Sequence, residues 1–209
     1  MRVVVVGASG TIGSAVVAAL SARHDVVAVG NKQGAIRVDL ASADSIQQMF
    51  QAVGTFDALV STAGRAAFAG LDDLKDADFQ LGLSNKLMGQ VNLVRIGRQF
   101  ANDRASFTLT SGVLSREPMK GSASISMVNA GLEGFARAAA LELPRGMRIN
   151  VVSPPWVTET LIARKMDPSI GLPAATVAKA YLASVEGTAT GQTLDPRTFA
   201  EDRKSTRLN

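Results

Sequence analysis

Four consecutive valines, Val3 to Val6, run directly into Gly7-Ala8-Ser9-Gly10-Thr11-Ile12-Gly13, and few folds accept that junction. A β-branched run without polar alternation suits a strand covered on both faces, at the centre of a parallel sheet. Gly7 permits a sharp exit from the strand, Gly10 leaves backbone open to a pyrophosphate, and Gly13 lets the next helix lie close to the sheet. The first-turn N–H groups of that helix, with Ser9, Thr11 and Ile12 around them, point at anionic oxygens. The spacing is G-x-x-G-x-x-G and not the commoner G-x-G-x-x-G. Alone, it leaves a phosphate cradle and a plain strand-to-helix turn both open.

A chain of 209 residues with 46% hydrophobic content supports one sizeable core and hardly two. There is no cysteine, which excludes disulfides and thiolate metal sites. The lone His24, between Arg23 and Asp25, reads as a solvated loop residue, and no metal site is expected. Neither a charged leader nor an apolar span of about 20 residues is present, so a cytoplasmic protein without a membrane partner is expected. The formal net charge is +4, but the last eight residues, Asp202 to Asn209, resemble the translation of a sequencing-adapter oligonucleotide. Without them the charge falls to +2, no basic stripe remains, and nucleic acid is not an expected partner. The expected domain is therefore 1–201, with 202–209 a non-native tail.

Strands and helices alternate along the chain with short polar connections, which is an α/β pattern. Helices are expected at 11–22, 43–52, 79–100, 122–143 and 174–185, with Ser42 capping the second and Pro144 ending the fourth. Strands are expected at 3–6, 26–29, 36–38, 57–61, 106–110, 148–152 and 192–194, and 158–172 reads as a loop over the pocket. Right-handed crossovers arrange these as a single-domain, Rossmann-like, doubly wound parallel sheet in the order 3-2-1-4-5-6-7, helices on both faces. Ligands then bind at the carboxyl edge.

The residues at that edge resemble the short-chain dehydrogenase/reductase family over nearly the whole chain. The resemblance rests on the turn from Gly7 to Gly13, on Asp39-Leu40 after the third strand and on Thr62-Ala63-Gly64 after the fourth. It continues through Ser111 at the end of the fifth strand, Arg148-Ile149-Asn150-Val151-Val152-Ser153-Pro154 and Thr190-Gly191-Gln192-Thr193-Leu194. It implies a dinucleotide cofactor, with Asp39 beside the adenine and Pro154, Trp156 and Val157 near the nicotinamide. Pro155 stands where the family has Gly, which removes an N–H. Each residue keeps a bland alternative: Asp39 and Ser111 as turn residues, Trp156 as a core aromatic.

The end of the second strand selects the cofactor, because an acid there binds a ribose diol while a base or small polar group admits a 2′-phosphate. Gly30-Asn31-Lys32 contains no acid, so NADP(H) is expected over NAD(H), with Lys32 as an ordinary turn lysine the alternative. The chemistry departs from the family. Its members use a Tyr as proton donor and a Lys four residues later to lower the phenol's pKa. Aligning Ala130-Gly131-Leu132-Glu133-Gly134-Phe135 puts Ile125 at the Tyr position and Asn129 at the Lys position. Tyr181, the only tyrosine, reads as packing. Where the family has Asn this chain has Lys86, with Asn85 one step off, and Ser111 is the one clear survivor.

Two readings follow. One is an NADP(H)-dependent oxidoreductase acting on a small carbonyl or alcohol, its candidate catalytic residues being Lys86, Ser111 and Asn129, with Ser124 helping to order a water. The other is a cofactor-binding sensor or partner protein without chemistry, in which Lys86 is a surface lysine. The helices near 79–100 and 122–143 carry Gly89, Gly97, Gly131, Gly134, Ala138 and Ala139, and the resemblance implies that they pair in a homodimer or homotetramer.

Overall fold

The computed structural model describes residues 1–32 and 34–200; the tail 202–209 lies outside the described residues. Seven parallel strands form one sheet in the order β3-β2-β1-β4-β5-β6-β7, as expected. They are β1 (Arg2–Val6), β2 (Asp25–Gly30), β3 (Ile36–Arg37), β4 (Phe56–Ser61), β5 (Ala101–Thr110), β6 (Arg148–Val152) and β7 (Thr193–Leu194). The valine run supplies both faces of the centre. Val4 and Val6 pack with α2 (Ala43–Val53), α4 (Met88–Gly97) and α5 (Ala123–Glu142), around Phe50, Leu93 and Leu132. Val3 and Val5 pack on the opposite face with α1 (Thr11–Ser21) and α7 (Ala174–Glu186), around Leu20, Val177 and Tyr181. Each fully buried valine contributes roughly 1.5–3 kcal/mol, so this one strand anchors both layers.

Local signals set most boundaries. Ser42 accepts a hydrogen bond from the Ser45 N–H and caps α2, and α5 stops before Pro144. The expected single helix over 79–100 is instead α3 (Asp76–Leu81), a π-helical turn (Gly82–Leu87) and α4. The Met88 N–H donates to the Leu83 carbonyl, five residues back, so the turn holds one residue more than an α-helix would. β5 begins at Ala101 and not at 106, because exposed Asn102, Asp103 and Arg104 interrupt the apolar pattern and the pairing with β4 shifts register there. The segment expected as a loop over 158–172 contains α6 (Thr158–Ala163) and a 3-10 turn at Pro168–Ile170. The Glu159 carboxylate accepts from the Ala174 N–H at the start of α7, strapping this segment down. His24 is also corrected: its ring is 9% exposed and bonds Glu186 at 2.9 Å, since α7 packs beside α1.

Candidate active site

The turn between β1 and α1 has the shape of an anion cradle. Gly7 has φ +87, and a Cβ on Gly13 would lie 1.9 Å from the Gly7 carbonyl oxygen, so neither position accepts a side chain. The Thr62 hydroxyl, which bonds the Val6 and Gly7 carbonyls at 3.1 and 3.2 Å, locks the turn to the end of β4. Gly10 is the N-cap of α1 and no side chain caps it, which leaves the N–H groups of Thr11, Ile12 and Gly13 aimed outward. A shallow groove of about 280 Å³ continues from Ala8 and Ser9 over Gly30 and Gly34. Lys32 is exposed at its end of β2. The Asn31 amide, by contrast, donates to the Val38 carbonyl at 3.0 Å and so holds the connection to β3. Asp39 is exposed, with its carboxylate accepting from the Ala41 N–H, whereas Leu40 is buried under α4.

At the carboxyl edge of β4, β5 and β6 lies a cavity of about 300 Å³. Lys86, Ser111 and Asn129 all line it, as do Ile12, Thr62 and Gly64. The far wall is Pro154, Trp156 and Val157, so all three candidate catalytic residues and six of the sixteen candidate cofactor residues converge there. Trp156 is a wall, half-buried with its ring edge-on to Phe68 at 6.3 Å. Ile125 adds an apolar patch.

Lys86 is 9% exposed and donates from Nζ to the Ser111 carbonyl at 3.1 Å. Its stem lies along Gly64, where a Cβ would approach within 2.9 Å. Burial without a neighbouring acid lowers its pKa to about 8. The π-turn buries Lys86 and Asn85 together: Asn85 Oδ1 accepts from the Arg65 N–H at 2.8 Å while Lys86 reaches the cavity. One turn on, the Gln90 amide bonds both the N–H and the carbonyl of Thr110, at 2.8 and 2.9 Å, tying this helix to the end of β5.

Sequence reasoning passes over Glu133. It is 5% exposed on α5, one turn beyond Asn129, and that spacing is the signal that could have found it. Its Oε1 accepts from the hydroxyls of Ser111 at 2.9 Å, Ser115 at 2.7 Å and Ser153 at 3.3 Å. The Ser111 proton is therefore committed, and its oxygen faces any cavity ligand as an acceptor. Asn129 Nδ2 donates to the Gly112 carbonyl at 3.4 Å, while Asn129 Oδ1 and Ser124 Oγ are buried without a protein partner among the described residues. Tyr181 is fully buried. Thr110 gives its hydroxyl proton to the Ser61 carbonyl, so the Tyr181 O–H donates to Thr110; burial raises the phenol's pKa above its ordinary value.

The family described as Enoyl-(Acyl carrier protein) reductase matches residues 2–190. A short-chain dehydrogenase/reductase from Stachybotrys chlorohalonatus is 32% identical over 133 residues, covering 58% of this chain and 52% of that protein. The chain thus spans about half the length of the curated relative it matches. The crystal structure of the protein lin1944 from Listeria innocua superposes with a TM-score of 0.90 at 40% identity, over 93% of this chain and 98% of that one. A small-chain dehydrogenase in complex with NADPH shares the fold at 24% identity and a TM-score of 0.81, over 93% and 95% of the two chains. The chain belongs to the short-chain dehydrogenase/reductase family.

Ile125 and Asn129, which the sequence resemblance sets at the family's Tyr and Lys positions, both line this cavity. An isoleucine exchanges no proton and an asparagine carries no charge. Lys86 is the titratable residue that is both buried and in the cavity.

Proposed function

We infer that this chain is an NADP(H)-dependent oxidoreductase that moves a hydride to or from a small carbonyl or alcohol. The reading rests chiefly on the end of β2, where Gly30 borders an open groove and the exposed Asn31 and Lys32 that follow it offer no carboxylate to a ribose diol. The cradle fits a pyrophosphate, since Gly7 and Gly13 admit no side chain and the α1 N–H groups carry no cap. Ser9, Gly10, Thr11 and Ile12 would complete that contact, Asp39 and the backbone of Leu40 would hold the adenine end, and Thr62, Ala63 and Gly64 the adenosine ribose. Lys32 would supply charge for a 2′-phosphate, and Pro154, Trp156 and Val157 would hold the nicotinamide. The NADPH-bound relative lends support. When bound, the nicotinamide supplies or accepts the hydride.

This chain's residues handle the oxygen and its proton. Lys86, with a pKa of about 8, holds a proton at neutral pH and can release it to a developing alkoxide. Ser111 accepts from an alcohol, and Asn129 with Ser124 orders a water. A cofactor-binding protein without chemistry is the second reading, and the isoleucine at position 125 favours it. Calorimetric titration with NADPH and NADH tests the cofactor; tighter NADH binding overturns the assignment. Incubation with NADPH and a panel of quinones, aldehydes and ketones tests the chemistry, and no loss of nicotinamide absorbance with any of them favours the binding protein.

The same reading places the protein in the cytoplasm as a homodimer or homotetramer, joined through the helices near 79–100 and 122–143. No helix of the described residues is long and apolar enough to cross a membrane.

A further inference from the structure

Building on the oxidoreductase reading, we propose that the cavity selects small acids: an oxo acid, or its hydroxy acid, whose carboxylate pairs with Arg164 while its carbonyl or hydroxyl faces Lys86. The charge around the cavity points this way. Lys86 and Arg164 both line it, and no aspartate or glutamate does. Arg164 stands exposed at the end of α6, and its guanidinium makes no ion pair or side-chain hydrogen bond among the described residues. The acids on the framing elements are already engaged. Glu159 accepts from the Ala174 N–H, Asp167 from the Ser169 N–H, and Glu133 from three serine hydroxyls.

A buried ammonium without a counter-ion is costly, and an anionic ligand relieves that cost where a neutral one cannot. A guanidinium at the mouth recognises a carboxylate by two parallel hydrogen bonds. The remaining walls, Phe68, Ile125 and Trp156, suit an apolar body. About 300 Å³ limits that body to a small molecule.

The test uses protein saturated with NADP⁺, which forms a ternary complex with an oxo compound but cannot reduce it. Phenylglyoxylate is compared with acetophenone, and pyruvate with acetone. Affinity is read by calorimetry and placement by the fluorescence of Trp156, the chain's single tryptophan. Each acid is expected to bind roughly tenfold or more tightly than its neutral partner, as a charge-assisted pair requires. Arg164→Ala should remove that preference and leave acetophenone and NADP⁺ affinities unchanged, and Arg164→Lys should restore part of it. Equal binding of acid and ketone, no binding of either acid, or a preference that survives Arg164→Ala overturns the proposal. If NADP⁺ itself does not bind, the cofactor reading fails instead, and the same titrations on cofactor-free protein still decide the acid preference.

Discussion

Lys86 joins folding to chemistry through a proton. Its pKa is lowered from the ordinary 10.5 to about 8 because the ammonium is taken out of water without an acid beside it. A base with a lower pKa when folded binds fewer protons folded than unfolded, so stability rises with pH between about 8 and 10.5. Below that window the full cost applies, about 3 kcal/mol. Lys86→Met should therefore be more stable than the wild type at pH 7, with the advantage shrinking toward pH 10 in urea melts. An advantage that does not change with pH would contradict the account. Glu133 is the second residue of consequence, since three hydroxyls donate to one of its oxygens, Ser115 having a second acceptor in the Gly112 carbonyl. Glu133→Leu strands Ser111 and Ser153 and should cost roughly 2–4 kcal/mol in urea unfolding. Glu133→Gln keeps an acceptor and should cost less than half of that.

Among the elements, the glycine turn was legible because its constraint is local: a valine strand, a positive φ and a helix that must approach closely. Gly13→Ala drives a methyl into the Gly7 carbonyl, and it should abolish NADPH binding in calorimetry and lower the midpoint of thermal unfolding. A variant that binds NADPH normally would remove the cradle from the cofactor site. β6 and the Ser42 cap were legible for the same reason. The π-turn was not, because its one extra residue is set by contacts from elsewhere: Arg65 on Asn85, Ser111 on Lys86 and Thr110 on Gln90. Nor was α6, a short helix whose strap to α7 reaches fifteen residues along the chain through Glu159.

At the scale of the molecule, the sheet order follows from parallel crossovers of one hand, and both cores follow from alternate valines of β1. Three of the small residues of these two helical segments make room inside the chain. Gly89 makes room for Leu40, Gly97 for Phe50 and Gly131 for Leu87, all within the chain. Among the side chains that the helices leave outward are apolar ones: Met88 at 40%, Met127 at 43% and Leu141 at 89% exposed. Sedimentation at micromolar concentration should give a homodimer or homotetramer, and Leu141→Glu should shift it toward monomer if α5 is the joining face. A wild-type monomer would end that proposal.

By itself the sequence determined the α/β class, the strand order and the glycine turn, because each is written in residue type and local spacing. Only the tertiary structure decided that Lys86 is buried without an acid, that Glu133 gathers three serines, and that Asn31 is committed to Val38. Burial and pairing depend on which groups the fold brings together, from 7 positions apart for Asn31 and Val38 to 22 for Ser111 and Glu133. Local spacing carries no record of such meetings.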